Sequence, residues 1–316
     1  MAKRCGRNAD EVARWAAASV LPKLCLAAVL ILGLLMYLDA GVILDMVRAV
    51  DRGALAAATA IIGCQYTFSA LRWHIVARRH GISENAGQLH FIFGAGALAD
   101  LVALTSFAGL TVRGALLVSR GAEMSRVFGV LFIERVSALA GFAFCFVAGV
   151  AVVLLAGVAV PFAPDPGIAV LTATVAGVSA IAAIYTLLRL QAVRAFADGL
   201  RASFMELPLV AGLVCLSAIT IWLGFTAVAI LARGLGLQIA PVFFLTIMPV
   251  IALLAALPVS IGGWGVREGA MAAGLSLFGV RPEEAVALSI LYGMLGTTVT
   301  VLLASPGAVL LYGKKK

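Results

Sequence analysis

Charge is what this sequence has least of. Asp, Glu, Lys and Arg make up 12% of the 316 residues against 63% hydrophobic ones, and the mean hydropathy is +1.11. Those values exclude a soluble globular domain and leave a polytopic membrane protein. Histidine occurs three times and never as a paired motif. The five cysteines, Cys5, Cys25, Cys64, Cys145 and Cys215, lie too far apart for a metal site or a disulfide framework and read as small packing residues. There is no glycine-rich nucleotide loop and no nucleophile elbow, so no cofactor, metal or catalytic residue is expected. A membrane-embedded enzyme acting on a lipid headgroup has no motif behind it.

The net charge of +8 does not point to nucleic acid, because the basic residues are scattered through short inter-helix segments. Positive-inside topology accounts for them. Lys3, Arg4, Arg7 and Arg14 precede an apolar run at 24–38 that has no small-residue cleavage pattern, so a retained first helix over 20–38 is expected. Residues 39–52 read as an outer connection. A second span over 53–71 ends at Arg72, Trp73, His74, Arg78, Arg79 and His80, a cluster that reads as cytoplasmic with Trp73 at the interface. Spans over 127–156, 168–188, 207–232 and 285–312 follow, with a proline-rich periplasmic loop at 161–167. Both termini then fall on the cytoplasmic side of a bacterial inner membrane.

Two apolar stretches are broken. Residues 257–270 read Leu-Pro-Val-Ser-Ile-Gly-Gly-Trp-Gly-Val-Arg-Glu-Gly-Ala and separate two runs too short to cross a core of about 30 Å. Pro258, Gly262, Gly263 and Gly265 should unwind the helix there, next to Trp264, which gives a re-entrant hairpin over 241–280. Residues 89–119 are interrupted by Asp100, Thr105, Ser106, Gly109 and Arg113 and read either as a second hairpin or as two short spans. The order span, span, hairpin, span then recurs from the opposite side, with residues 1–160 and 168–316 as two membrane repeats. Gly109, Val112, Arg113, Gly114 and Ala115 echo Gly263, Val266, Arg267, Gly269 and Ala270 with one residue inserted. The expected fold is therefore all-α, an inverted-topology repeat with two re-entrant hairpins and a site near the midplane.

Arg113 and Arg267 are the leading candidates for that site. Each follows a hairpin tip at the start of a half-helix, where free N–H groups and the helix dipole favour an anion, and arginine adds bidentate recognition of phosphate or carboxylate. The competing reading has Arg267 neutralised by Glu268 and merely pinning the hairpin. Glu134 either meets an arginine of the hairpin or forms, with Arg135, an interfacial pair near the cytoplasmic helix start. Asp100 balances Arg113 or carries a proton.

These residues resemble a known family. Leu257, Pro258, Ser260, Gly262, Gly263, Gly265, Arg267, Glu268 and Gly269, then Gly279, Val280 and Ala285, are similar to the C-terminal signature of the flippase-like membrane domain of lysylphosphatidylglycerol synthases and its stand-alone relatives. Leu71, Arg72 and Trp73, then Gly109 and Arg113, then Glu134, Arg135 and Val136, follow in that family's order. Two positions depart from it: Thr105 stands where relatives often have a proline, and Leu110 where they have an acid. The resemblance implies translocation of a lipid with a phosphate-bearing headgroup, not lysyl transfer. The alternatives are a membrane subunit that presents lipid to a separate synthase or glycosyltransferase, and a small-solute transporter.

Overall fold

The computed structural model describes residues 40–102, 108–157, 207–255 and 264–312. The expected spans at 20–38 and 168–188, the loop at 161–167, and Pro258, Gly262 and Gly263 lie outside the described residues. Within them the chain is helical throughout: α1 (Ala40–Ala49), α2 (Arg52–Arg79), α3 (Ala86–Val102), α4 (Ala108–Ser119), α5 (Met124–Leu155), α6 (Leu207–Gly234), α7 (Pro241–Ala255), α8 (Val266–Ser276) and α9 (Pro282–Tyr312). Four stretches are long and apolar enough to cross a membrane: Arg52–Arg79, Met124–Leu155, Pro208–Gly234 and Pro282–Ala304. The protein is a multi-pass membrane protein.

α2 begins where the Asp51 carboxylate accepts the Ala54 N–H at 2.7 Å and ends at His80, followed by Gly81 at φ 72°. One face of it, Ala58, Ile62, Tyr66, Ala70, Trp73 and Ala77, is buried at intervals of three and four residues, as a helix packed along its whole length requires. α6 is its main neighbour. The two run antiparallel, because Asp51 N–H meets the Gly234 carbonyl at 3.1 Å at one end while Arg72 meets Ser217 further along.

Here the structure corrects the sequence reading. The helix of the second span does not stop at residue 71 but continues to Arg79, and Trp73 is fully buried, in a cluster with Val76, Phe93 and Val130. Arg72 goes inside with it. Residues 40–49, expected as connection, form α1, whose Ile43 packs on Val286 and Ala287 of α9. Of the cysteines, Cys145 is buried, whereas Cys64 and Cys215 face outward.

α3 and α4 fold back on each other, and so do α7 and α8. At 17, 12, 15 and 11 residues, these helices measure about 26, 18, 22 and 16 Å, each shorter than a bilayer core. The outer ends of the first pair are joined by Arg120 and Glu84 at 3.4 Å, and those of the second by the edge-on rings of Phe243 and Phe278. The packing recurs between the two halves. α3 lies on α9 as α7 lies on α5, α4 on α5 as α8 on α9, and α5 on α6 as α9 on α2. Close approaches rest on small residues: a side chain at Gly149 would strike the Leu245 backbone, and one at Gly94 would press on Ala304.

Candidate functional site

Among the described residues three arginines sit inside the helical bundle, and each is held differently. Arg113, on α4, is buried and places Nη1 2.6 Å from Glu134 Oε1 on α5. Its Nη2 lies 3.8 Å from Asp100 on α3, and its guanidinium stacks over the Phe93 ring at 4.7 Å. Asp100 also accepts the Gly109 N–H at 2.8 Å, so this carboxylate ties the start of α4 back to α3. Gly96 makes room for the cluster, since a Cβ there would overlap the Arg113 side chain.

Arg267, in the first turn of α8, is bound by its neighbour. Glu268 Oε1 accepts from Arg267 Nη2 at 2.7 Å and from Ser289 Oγ on α9 at 2.9 Å, while Oε2 accepts the Gly265 N–H at 2.6 Å. Gly265 has φ 84°, a conformation that favours glycine, and its N–H is one of the donors a helix start leaves over. Glu268 thus closes the helix end and compensates Arg267 at once, as the pinning reading expects. The guanidinium is nevertheless not sealed off. It stacks over the Trp264 ring at 4.9 Å and lines two cavities, of about 370 and 260 Å³. Gly293, on α9, leaves the space it occupies.

Those cavities share a wall made of Gln65, Ser69, Arg267 and Tyr292. The Gln65 amide and the Tyr292 hydroxyl lie together there, both beside Gly224 of α6. The larger cavity opens among α2, α5, α6 and α7 and is lined by Phe142, Ile221, Phe225, Met248 and Ile251; the smaller lies toward Phe93, Trp264 and Thr300. Arg113, Glu134, Asp100, Arg135 and Glu268 line neither.

The third arginine, Arg72, has no place in the sequence-based list of site residues. It is buried on α2, donates from Nη1 to Ser217 Oγ on α6 at 2.7 Å, and lines the larger cavity together with Arg267. Its partner is 145 residues away, so the only sequence signal is its position in the Leu71, Arg72, Trp73 triplet. The structure brings Arg113, Asp100, Gly109 and Glu134 into one cluster, and Trp264, Gly265, Arg267 and Glu268 into another. Among the described residues no three potential metal ligands come together.

Two polar clusters, one around Arg113 and one around Arg267, thus sit inside an apolar bundle. The model of the lysylphosphatidylglycerol synthase TM region matches residues 21–304. The chain belongs to that family. The match spans both clusters, both cavities and the four described helices long and apolar enough to cross a membrane, so this geometry is that of a lysylphosphatidylglycerol synthase TM region, and it carries a membrane lipid-related function. No curated protein and no solved structure matches the chain.

Proposed function

We propose that this chain is a lipid translocase that moves a lipid with an anionic, phosphate-bearing headgroup between leaflets, and that it carries out no catalysis of its own. The observation that carries this reading is Arg267, one guanidinium lining two cavities on either side of the Gln65 and Tyr292 pair. A cation shared by two compartments in an apolar bundle can hold a headgroup on its way from one to the other. A charge at that depth is costly unless it has such a task or a partner, and Glu268 offsets the cost in the absence of lipid.

The reading includes an inverted repeat with two re-entrant hairpins. Support comes from short helix pairs whose outer ends meet, from the antiparallel α2 and α6, and from interhelical contacts that recur when the halves are exchanged. Among the described residues, the end of the bundle at Arg78, Arg79, Arg120 and Arg126 has only Glu84 and Glu123 against it, whereas Arg48, Arg52, Arg233 and Arg281 share the other with Asp45, Asp51, Glu283 and Glu284. The first end is the cytoplasmic one on positive-inside grounds, with both termini on that side of a bacterial inner membrane.

The test is exchange of a fluorescent phosphatidylglycerol across vesicles holding the purified chain, with Arg267→Ala in parallel. Protein-dependent exchange that the variant lacks supports translocation through the Arg267 cavities. Exchange that survives the substitution leaves Arg267 as a hairpin pin. Its absence in the unsubstituted chain overturns the proposal in favour of a subunit that hands lipid to a separate synthase or glycosyltransferase.

A further inference from the structure

Arg72 differs from the other two arginines in having no carboxylate. It is 8% exposed, and among the described residues its one hydrogen-bond partner is the neutral Ser217 hydroxyl, which itself donates to the Leu213 carbonyl. The Arg72 Nε is buried with no partner at all. Glu134 acts on Arg72 through space, but it is bonded to Arg113, which acts in the opposite sense together with Arg135. A buried guanidinium with unused donors is an expensive thing to leave without an anion.

The surroundings supply what that anion would need. Among the described residues, Arg72 and Arg267 are the only charged side chains lining the cavity of about 370 Å³. Arg267 is already matched by Glu268, whereas Arg72 has no carboxylate within ion-pair distance among the described residues. Ser69, Thr220, Tyr292 and Gln65 line the same space and place polar groups on several sides of it. Donors converging from several directions suit the tetrahedral oxygens of a phosphate group better than the two coplanar oxygens of a carboxylate. Ile221, Phe225, Met248 and Ile251 make the remaining wall apolar.

We infer that Arg72 and Arg267 form a binding site for a singly charged phosphate group in this cavity, with Arg72 as the residue whose charge the ligand neutralises. The translocation reading bears on this only in suggesting a lipid phosphodiester as the source; the site itself stands on the cavity and the unpaired guanidinium.

The experiment is calorimetric titration of the full chain in a neutral detergent with dihexanoyl phosphatidylglycerol, with inorganic phosphate, and with uncharged dihexanoylglycerol. Arg72→Met removes the buried charge without leaving a cavity. It should keep or raise the thermal midpoint of the ligand-free protein, because an unmatched charge has gone, and it should weaken binding of the charged probe at least about tenfold. Ser217→Ala keeps the charge and should bind within about threefold of the unsubstituted chain. Binding of the lipid probe alone assigns a lipid-borne phosphate, and binding of inorganic phosphate alone assigns a free one. Equal binding of the uncharged probe, or binding indifferent to Arg72→Met, overturns the inference. Should Arg72→Met not fold, Arg72→Gln provides the same comparison, and an Arg72 that neither variant can replace is a structural residue. Because binding is read without transport, Arg72-dependent binding in a chain that exchanges no lipid keeps this site while translocation falls, and exchange with Arg72-independent binding does the reverse.

Discussion

Arg113 Nη1 lies 2.6 Å from Glu134 Oε1, and that contact fastens the second helix of the first hairpin to the long span that follows it. Both side chains are nearly inaccessible, so each is compensated chiefly by the other. Glu134→Ala should therefore destabilise the protein by about 3–5 kcal/mol, the cost of a buried charge left alone. The double variant Arg113→Met with Glu134→Leu should recover most of that loss. Thermal unfolding in detergent measures both, and a double variant as unstable as the single one would show that the ion pair is not what holds α4 to α5.

Gly293 and Gly296 lie one helical turn apart on α9, yet only the first faces a guanidinium. A Cβ at 293 would overlap the Arg267 guanidinium, whereas one at 296 meets nothing within 4 Å. Gly293→Ala should displace Arg267 from both cavities and slow lipid exchange about tenfold or more, since overpacking typically costs about 1–3 kcal/mol. Gly296→Ala should leave the rate within about twofold, or improve stability slightly through helix propensity. Equal effects from the two substitutions would mean that the position of Arg267 does not govern transport.

How much of this was visible in the sequence depends on whether the signal was local. The two short helices α7 and α8 could be read because two runs near half the length of a span flank a cluster of glycines within 241–280. Arg113 and Arg267 could be singled out because an arginine in an apolar stretch is expensive wherever it points. Arg72 could not. It follows an apolar run and precedes Arg78 and Arg79, the pattern that positive-inside counting assigns to a helix end, and what takes it indoors is a helix that continues to Arg79 and packs against α6. Ser69, Gln65 and Tyr292 are ordinary residues in apolar helices until the fold sets them around one cavity. The pinning role of Glu268 was legible in its adjacency to Arg267; its bond to Gly265 depends on the backbone turn.

Asp100 holds two groups with two oxygens, the Gly109 N–H at 2.8 Å and Arg113 at 3.8 Å. The shorter contact is a well-formed bond and the longer a loose one, so closing the hairpin is its main task. Asp100→Asn keeps an oxygen for Gly109 and should cost under about 1 kcal/mol. Asp100→Ala leaves the amide without a partner and should cost about 1–3 kcal/mol. Amide exchange at Gly109, followed by mass spectrometry, should quicken in the alanine variant alone. If Asp100→Asn instead abolishes a pH dependence of lipid exchange while leaving the thermal midpoint unchanged, Asp100 is a proton carrier rather than a latch.

The arrangement of ends makes a topological prediction that does not depend on transport. Glu84 precedes α3 and Glu123 precedes α5, and Arg120 and Arg126 bind them at the same end of the bundle. Glu283 begins α9 at the other end, next to Arg281 and Glu284. Cysteines introduced singly at 84, 123 and 283 of a chain lacking its native cysteines should therefore divide two against one when intact cells are treated with a membrane-impermeant maleimide. Glu283→Cys should label from outside, whereas Glu84→Cys and Glu123→Cys should label only once the inner face is exposed. The excess of Arg78, Arg79, Arg120 and Arg126 at the second pair's end fixes which side is which. Labelling of 84 and 283 from the same face would contradict a fold in which α2 and α6 cross antiparallel. Labelling two against one but with the sides exchanged would keep the fold and invert the protein in its membrane.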